Sequence, residues 1–535
     1  MPPAVKQQPQ AESLISGFLR SLRSCPARPA LELGEQRLTY AELWDQAAKI
    51  AYSLNSYVDS GVPLAALLAN RSITAYSGIL GILSSGRGYV PLNAKFPVER
   101  TISMLSASAC KAVVVGSECL DTAKALLPRI KEPLLWILPD ASLAVGRQYL
   151  PGQHVIAAEN MARMADPNEP HVQKDATAYL LFTSGSTGIP KGVAINHGNV
   201  TSYLDYVRRR YRLSADDRCS QNFELTFDPS VHDLFVCWSA GATLCPFPEQ
   251  YLIPVSLIRE KDLTVWFSVP SIAMLASKLG VLEPRAFPSL RLSLFAGEAL
   301  SARLAEAWAQ AAPRSIVENI YGPTEATITI SHYRWDPIRS PRECVSGVVP
   351  IGWVFEGQQS RIVDDSLTPL PCGETGELCL AGSQVANGYL NDSPRTQQQF
   401  VRLPGSEEKR WYRTGDLAKQ DERGCVYYLG RIDQQVKISG YRVELQEIEQ
   451  ALREAANTDL AVAVPWPVSD GTASGVVAVI AGLDPARDED IINLCQQRLP
   501  RYMVPNRILR VADLPLNTSG KLDRPKIAGL VQSIA

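Results

Sequence analysis

LFTSGSTGIPKGV, residues 181–193, is the stretch of the chain that says most about its fold. Its apolar first residues are typical of a buried strand, and they run into glycine and hydroxyl residues that close on Lys191. Glycines let backbone N–H groups approach an anion, hydroxyls donate hydrogen bonds, and lysine adds a positive charge. A Gly/Ser/Thr run alone is more often a flexible linker. The apolar lead and the apolar continuation at residues 193–195 favour a phosphate-binding loop instead.

The spacing of this loop separates it from the P-loop of most NTPases. In a P-loop, glycine directly precedes the lysine, and Ser or Thr follows it. Here Pro190 precedes Lys191 and Gly192 follows it. The sequence therefore predicts a phosphate loop that is not of the Walker type.

The composition is that of an ordinary globular protein with more than one domain. A chain of 535 residues exceeds what one hydrophobic core usually organises. Its apolar fraction of 46% and charged fraction of 20% are unexceptional. A net charge of −2 gives no support for a polyanionic partner, so nucleic acid is disfavoured as the main ligand.

Cysteines and histidines indicate neither a disulfide framework nor a metal motif. The 11 cysteines are odd in number and never form CxxC, and the five histidines are dispersed, so reduced thiols and no zinc site are expected. The sequence shows neither a secretory leader nor an apolar run of the ~18 residues that a membrane span needs. We therefore expect a cytoplasmic protein that does not associate with membranes.

Strand-like and helical segments alternate through most of the chain. Residues 13–22 and 38–54 have helical apolar spacing, and Thr39 with Glu42 forms a capping-box pattern. Strands are predicted at residues 63–69, 111–116 and 263–269 and directly before the phosphate loop, with a helix through residues 79–83 between the first two. Strands separated by helices predict an α/β fold with largely parallel sheets.

The character changes after about residue 355. Short strands broken by Gly and Pro predict a small antiparallel sheet or distorted barrel up to residue 430, followed by a turn at residues 430–440. A small α+β remainder then has helices at residues 444–454 and 489–499 and a strand at residues 475–482. We divide the chain into a flexible tail (1–12), a large core (13–433) and a small mobile lid domain (434–535).

Several motifs occur in a characteristic order. They are NIYGPTE (319–325), YRTGDL (412–417), GRIDQQVKISGYRVE (430–444) and NTSGKLD (517–523), supported by LTYAEL, GYVPLN, FDPS, GETGELCLAG and LPRYMVP. Together they resemble the signature motifs of the acyl-adenylate-forming superfamily, and most of all the amino-acid adenylation domains of nonribosomal peptide synthesis. The resemblance covers residues 12–530.

This resemblance implies ATP and Mg²⁺ as cofactors. Tyr321 has a flat face suited to an adenine ring. Asp416 is suited to the two ribose hydroxyls. Glu325, a hard oxygen ligand, is the candidate for Mg²⁺, with Thr324 beside it. The implied nucleotide-binding set is Thr183, Ser184, Gly185, Ser186, Thr187, Gly188, Lys191, Gly297, Glu298, Asn319, Tyr321, Asp416 and Arg431.

Two lysines are implied to act in two half-reactions. Lys521 matches the lysine that assists attack of a carboxylate on the α-phosphate, where a cation helps two anions approach. After adenylation, the small domain of such proteins reorients about a hinge, here Asp433. Lys437 and the face it shares with residues 438–440 then replace Lys521, and a tunnel for a thiol opens. Lys191 is left with positioning and closure.

The candidate substrate pocket begins at Asp228, which matches the carboxylate that pairs with a substrate α-ammonium. The other implied positions are Pro229, His232, Ser268, Leu294, Ala296, Ile320, Ile328 and Thr329. Because this lining is mostly apolar, we expect a small or medium neutral amino acid such as Ala, Ser, Thr or Pro. His232 has two open roles: it either bonds a polar substrate side chain or fills volume as a neutral histidine.

The chain ends soon after Lys521, and we expect a free-standing enzyme that loads a separate phosphopantetheinylated carrier protein docking near the hinge. The sequence leaves open whether a small activator protein is needed. Two alternatives remain: an acyl- or aryl-CoA ligase, disfavoured by Asp228, and a catalytically silent nucleotide-binding scaffold, disfavoured by the intact Lys191, Glu325, Asp416 and Lys521.

Overall fold

The structure, a computed structural model, describes residues 12–163, 169–185, 190–247, 254–433, 435–469, 472–482, 487–515 and 522–534. The helices are α1 (Ser16–Ser24), α2 (Tyr40–Tyr57), α3 (Ile73–Ser84), α4 (Val98–Ser108), α5 (Leu120–Leu126), α6 (Leu143–Tyr149), α7 (His197–Tyr211), α8 (Pro229–Ser239), α9 (Ser256–Glu260), α10 (Pro270–Lys278), α11 (Ala302–Ala311), α12 (Ser340–Glu343), α13 (Ser393–Gln399), α14 (Leu445–Ala456), α15 (Asp488–Gln496) and α16 (Arg524–Ile534).

The strands of the larger part of the chain are β1 (Pro29–Leu33), β2 (Gln36–Thr39), β3 (Leu64–Leu68), β4 (Gly88–Leu92), β5 (Ala112–Val115), β6 (Leu135–Leu138), β7 (His154–Ala157), β8 (Thr177–Thr183), β9 (Lys191–Asn196), β10 (Arg218–Gln221), β11 (Thr243–Pro246), β12 (Val265–Ser268), β13 (Leu292–Phe295), β14 (Ile316–Tyr321), β15 (Ser331–Arg334), β16 (Trp353–Val354), β17 (Gln359–Val363), β18 (Thr375–Ala381), β19 (Phe400–Leu403), β20 (Ser406–Gln420) and β21 (Val426–Arg431). The remaining strands are β22 (Gln435–Ile438), β23 (Tyr441–Glu444), β24 (Ala461–Pro465), β25 (Val468–Ser469), β26 (Thr472–Ala473), β27 (Val476–Ala481) and β28 (Arg507–Val511).

Two large, mainly parallel sheets form the bulk of the molecule. One has the order β7-β6-β5-β3-β4-β8-β9, parallel from β7 through β8, with β9 antiparallel to β8 at the edge. The other has the order β16-β15-β14-β13-β12-β10-β11-β1-β2, parallel from β14 through β1 and antiparallel at both edges. Strands such as β3 are buried along their whole length, as expected when helices cover both faces. The prediction of an α/β fold is confirmed.

The predicted phosphate loop has a definite place in this topology. Strand β8 carries the apolar lead and ends at Thr183, and β9 returns antiparallel from Lys191. The loop therefore connects two neighbouring strands of the first sheet, with its two ends side by side.

The predicted antiparallel sheet is also present. Strands β17, β18, β20 and β19 lie in that order, and β21 pairs with β20. The predicted turn at residues 430–440 was too long, because β21 extends to Arg431 and β22 already begins at Gln435. Only Ser439 and Gly440 form the turn between β22 and β23, both with positive φ.

The C-terminal part has its own buried core, which Val443, Ile448, Leu452, Val476 and Ile491 help to form. Its strands make a four-stranded sheet, β23-β22-β26-β25, and a three-stranded sheet, β24-β27-β28. Helices α14 and α15 lie near their predicted places. This small α+β domain confirms the fold class.

Local helix signals were also informative. Helix α2 begins at the predicted capping box, in which the Thr39 hydroxyl accepts from the Glu42 N–H and the Glu42 carboxylate accepts from the Thr39 N–H. Of the predicted tail, residues 1–11 lie outside the described residues, while Glu12 forms an ion pair of 2.6 Å with Arg20 of α1. Within the described ranges, no helix is long and apolar enough to cross a membrane.

A buried histidine binds the backbone just before α1 and leads to a stability prediction. His197 Nδ1 accepts the Leu14 N–H at 3.0 Å, and burial lowers the pKa of His197 to about 4. Because the unfolded chain takes up this proton near pH 6.5, stability present above that pH is lost as the pH falls towards 4. The slope is at most about 1.4 kcal/mol per pH unit. In urea unfolding at pH 7.0, 6.0 and 5.0, His197→Gln should lack this part of the slope. His154→Gln, at an exposed position, should keep it, and equal slopes in the wild type and His197→Gln would contradict the assignment.

Candidate active site

The candidate site lies where parallel strands β12, β13 and β14 end. This edge of a parallel sheet is a common place for ligand binding. A cavity of about 370 Å³ opens here and is bordered on one side by the sheet and on the other by the start of the C-terminal domain. Its lining includes the predicted nucleotide-binding residues Gly297, Glu298, Asn319, Tyr321 and Arg431, together with Lys437.

The candidate ribose carboxylate is held by two neighbours. Asp416 Oδ1 accepts from Arg431 Nη1 at 2.5 Å, and Oδ2 accepts from the Tyr321 hydroxyl. The residue proposed to stack on adenine, Tyr321, is therefore bonded directly to the residue proposed to bind the ribose, Asp416. Nearby, the Asn319 amide donates to the carbonyls of Val349 and Pro350, which orients that side chain along the cavity wall.

The predicted hinge residue is anchored by the same arginine. Arg431 Nε and Nη2 donate to the two carboxylate oxygens of Asp433 at 2.7 and 2.6 Å. Arg431 thus binds both Asp416, the candidate ribose-binding residue, and Asp433, the candidate hinge residue. A planar guanidinium is suited to such paired contacts.

The start of the predicted phosphate loop carries three hydrogen-bond donors, those of Thr183, Ser184 and Gly185. The Thr183 hydroxyl is buried and has no hydrogen-bond partner among the described residues, as expected of a donor that awaits a ligand. The Ser184 hydroxyl donates to the Arg442 carbonyl at 2.8 Å, and the Gly185 N–H donates to Glu447. The predicted residues Ser186, Thr187 and Gly188 lie outside the described residues.

Lys191 and the metal candidate Glu325 face each other. Lys191 Nζ lies 3.7 Å from Glu325 Oε1 and 5.3 Å from the ring centre of Tyr389. Burial lowers the pKa of Lys191 to about 8, and Arg442 contributes to the shift.

Glu325 is a fully buried but ionised carboxylate. Burial alone would raise its pKa, but Arg442 and then Lys191 hold the pKa at about 2. Arg442 Nη1 lies 2.7 Å from Oε2, and the Tyr389 hydroxyl donates to Oε1 at 2.9 Å. A hard, charged oxygen ligand beside a phosphate loop fits Mg²⁺. Bound there with ATP, Mg²⁺ would neutralise part of the charge on the phosphates.

Asp228 lies at the N-terminal end of α8 and is only 8% exposed. Its Oδ2 accepts from the Ile328 N–H at 3.2 Å. Thr327 and Ile328 both have positive φ, which is strained for β-branched residues. In this backbone conformation, the Ile328 N–H lies within hydrogen-bond distance of Asp228. Burial raises the pKa of Asp228 to about 7, so a cationic partner would be needed to keep it ionised.

His232 lies one turn further along α8. Its Nδ1 is 2.6 Å from the Tyr203 hydroxyl, and its ring packs against Phe267 at 5.0 Å between ring centres. Burial lowers the pKa of His232 to about 3, so the ring is neutral. Of the two roles left open for His232, the contact at Nδ1 therefore agrees with a neutral histidine that fills volume.

The other candidate pocket residues come together from adjacent elements. Ser268 ends β12, the Ala296 N–H donates to its carbonyl, and Ile320 lies on β14. Thr329 donates to the Tyr203 hydroxyl at 3.4 Å, and Pro229 is the first residue of α8. The residues most deeply enclosed, at 0–4% exposed, are Ser268, Leu294, Ala296, Ile320, Ile328 and Thr329.

Of the two lysines assigned to the predicted half-reactions, only Lys437 lies within the described residues. Lys437 of β22 borders the cavity, where burial lowers its pKa and Asp416 opposes that shift. Gly440 allows this hairpin to come close, because a Cβ on it would lie 2.6 Å from the Val269 side chain. Lys521 lies outside the described residues.

Sequence reasoning missed four residues of the site. Tyr203 and Tyr389 occur outside the recognised motifs, and no local signal distinguishes them from ordinary core aromatics. Arg442 lies inside the recognised segment GRIDQQVKISGYRVE, so its position could have been noted. Glu447 follows on α14 and, without the fold, is an ordinary helix carboxylate.

Comparison with known proteins assigns the chain to a family. The model of the AMP-binding enzyme matches residues 18–390, and that of the AMP-binding enzyme C-terminal domain matches residues 447–521. Gramicidin S synthase 2 of Brevibacillus brevis is 31% identical over 98% of this chain, which spans 11% of that protein. Tyrocidine synthase 3 of Brevibacillus parabrevis is 32% identical over 97% of this chain, which spans 8% of that protein.

Solved structures give the same result. The Vibrio cholerae adenylation domain AlmE, solved in complex with glycyl-adenosine-5′-phosphate, has a TM-score of 0.89 and 33% identity, covering 99% of this chain and 100% of AlmE. IdnL7 has a TM-score of 0.72 and 35% identity, covering 97% and 99%. The chain therefore belongs to the AMP-binding enzyme family and is an adenylating ligase.

Proposed function

We propose that this ligase uses ATP and Mg²⁺ to activate a small neutral amino acid as its aminoacyl-AMP, releasing pyrophosphate. The observation that carries the proposal is the position of Asp228. Its buried carboxylate accepts the Ile328 N–H, and the other candidate pocket residues are uncharged. An isolated buried carboxylate is costly, and a substrate α-ammonium would remove that cost.

The tight packing of the pocket favours the small end of the predicted range. Tyr203, His232 and Phe267 fill the space beyond Asp228, and each is at most 4% exposed. A long side chain would have to displace the Tyr203–His232 hydrogen bond. The resemblance to an adenylation domain solved with glycyl-adenosine-5′-phosphate also favours a small amino acid. We infer glycine and alanine as the first candidates, ahead of Ser, Thr and Pro.

We assign nucleotide roles to the surrounding residues. Tyr321 would stack on adenine, Asp416 would bind the ribose hydroxyls, and residues 183–188 with Lys191 would bind the β- and γ-phosphates. Glu325 would hold Mg²⁺ next to those phosphates. The Thr183 hydroxyl, which lacks a partner among the described residues, supports this assignment.

The second half-reaction is transfer of the aminoacyl group to the phosphopantetheine thiol of a separate carrier protein. We propose residues 13–433 as the large domain, residues 434–535 as the mobile one, and Asp433 as the hinge. Lys437 beside the cavity and Gly440 against Val269 support a role for this face in transfer.

A screen of ATP–pyrophosphate exchange tests the proposal. Glycine and alanine should stimulate exchange most, bulky amino acids such as Phe and Trp should stimulate it at least tenfold less, and omission of Mg²⁺ should abolish it. A tenfold difference corresponds to about 1.4 kcal/mol. One extra methylene group in an apolar pocket is already worth about 1–3 kcal/mol. Strongest exchange with aryl or fatty acids would instead support the CoA-ligase alternative. An absence of exchange with every acid would support the silent scaffold.

A further inference from the structure

The start of α14 and the strand before it reach across to the proposed phosphate and metal positions. Arg442, on β23, places its guanidinium 2.7 Å from the fully buried Glu325 carboxylate. Its backbone carbonyl accepts from the Ser184 hydroxyl at 2.8 Å. The small domain therefore supplies a cation at the carboxylate to which we assign Mg²⁺.

The same segment supplies an anion a few residues later. Glu447 Oε2 accepts the Gly185 N–H at 3.3 Å, and Oε1 pairs with Arg100 of α4 at 2.5 Å. Glu447 is 3% exposed and Arg100 is 7% exposed. A small-domain carboxylate thus occupies a backbone donor that we assign to phosphate.

The two contacts reproduce one charge pattern. A divalent cation at Glu325 and a phosphate at the Gly185 N–H are replaced by a guanidinium at Glu325 and a carboxylate at the Gly185 N–H. Three of these four charged side chains, those of Glu325, Glu447 and Arg100, are buried, which costs free energy that only close pairing offsets. Each pair joins the large domain to the small one, so it exists only in this domain arrangement.

We infer that Arg442 and Glu447 stand in for Mg²⁺ and for a phosphate group of pyrophosphate, so that this domain arrangement and bound magnesium pyrophosphate exclude each other. The inference rests on the proposed function for the assignment of Glu325 and Gly185. The two contacts lower the apparent affinity for magnesium pyrophosphate, because the ligand must displace both of them.

The test measures magnesium pyrophosphate itself, by calorimetric titration of the full chain. Arg442→Ala and Glu447→Gln should each bind it at least fivefold more tightly than the wild type, and the double variant more tightly still. With magnesium chelated, the gain from Arg442→Ala should disappear, whereas that from Glu447→Gln should persist. In hydrogen–deuterium exchange, magnesium pyrophosphate should increase exchange of wild-type residues 435–447. The double variant should show that faster exchange without ligand.

Two variants on the same helix serve as controls. Arg453→Ala removes the ion pair between Arg453 and Glu449, and Glu454→Gln removes the one between Glu454 and Arg498. Because both pairs lie within the small domain, these variants should leave the affinity for magnesium pyrophosphate unchanged. Equal or weaker affinity in Arg442→Ala and Glu447→Gln, with normal binding by the wild type, would overturn this inference alone. Failure of the folded wild type to bind either magnesium pyrophosphate or magnesium ATP would overturn the proposed function as well. Thermal unfolding shows that each variant is folded.

Discussion

Asp228→Asn is expected to lower kcat/KM for the amino acid by roughly 30- to 5,000-fold, because loss of one partner of a buried charge pair costs about 2–5 kcal/mol. The asparagine keeps the size of Asp228 and can still accept the Ile328 N–H, so the fold should survive. What it lacks is the negative charge for the α-ammonium. Amino-acid-dependent ATP–pyrophosphate exchange measures the effect, and KM for ATP should change little.

The pH dependence gives an independent check. Burial raises the pKa of Asp228 to about 7. Below that pH the substrate-free carboxyl is protonated, so KM for the amino acid should rise about tenfold per pH unit as the pH falls. Asp228→Asn should lack this dependence.

Asp233 of the same helix offers a matched control. Burial raises the pKa of Asp233 well above its usual range, and its Oδ2 accepts the Asn222 N–H at 3.3 Å. Because Asp233 is not one of the candidate pocket residues, Asp233→Asn should change KM by only a few fold. A similar loss in both variants would mean that Asp228 acts through the structure of α8 and not through its charge.

Lys521→Ala is expected to lower the rate of adenylation by roughly 100- to 1,000-fold, the usual effect of removing one group that stabilises developing charge. The transfer of an already formed aminoacyl-AMP to a pantetheine thiol should be nearly unaffected, because Lys437 borders the cavity in this arrangement and we assign transfer to its face. Single-turnover assays of the two steps separate these effects.

Lys437→Ala should show the opposite pattern, with transfer impaired and adenylation largely kept. Lys526→Ala is the control, since Lys526 is an exposed residue of α16 that pairs with Asp523. If Lys521→Ala kept its exchange activity, the role assigned to Lys521 would be wrong. If it slowed both steps equally, the two-lysine division of labour would fail.

Local patterns predicted much of the fold correctly. The capping box at Thr39 and Glu42, the apolar run at Leu64–Leu68 and the helix α14 are signals carried by a few neighbouring residues. Such signals report what a segment does by itself and what it must bury. The turn at residues 430–440 was overestimated because glycine and charged residues mark a loop, whereas the pairing of β22 with β23 and β26 is set by partners outside that segment.

The candidate pocket, too, was predicted only in part from the sequence. Motif order indicated Asp228 and the ends of β12, β13 and β14, because these residues stand at fixed places in recognisable segments. The role of His232 stayed open because it depends on Tyr203, which lies in α7 outside any motif. Only packing brings the Tyr203 hydroxyl to His232 Nδ1 and thereby fills the pocket.

By itself, the sequence determined the α/β class, and it predicted a phosphate loop between what are now β8 and β9 and the residues proposed to meet ATP, Mg²⁺ and the amino acid. The tertiary structure alone decided what those residues contact. Arg442 meets Glu325 across 117 residues, and Glu447 meets the Gly185 N–H across 262. The physical reason is that a buried charge requires a partner, but which partner it finds depends on how distant segments pack together.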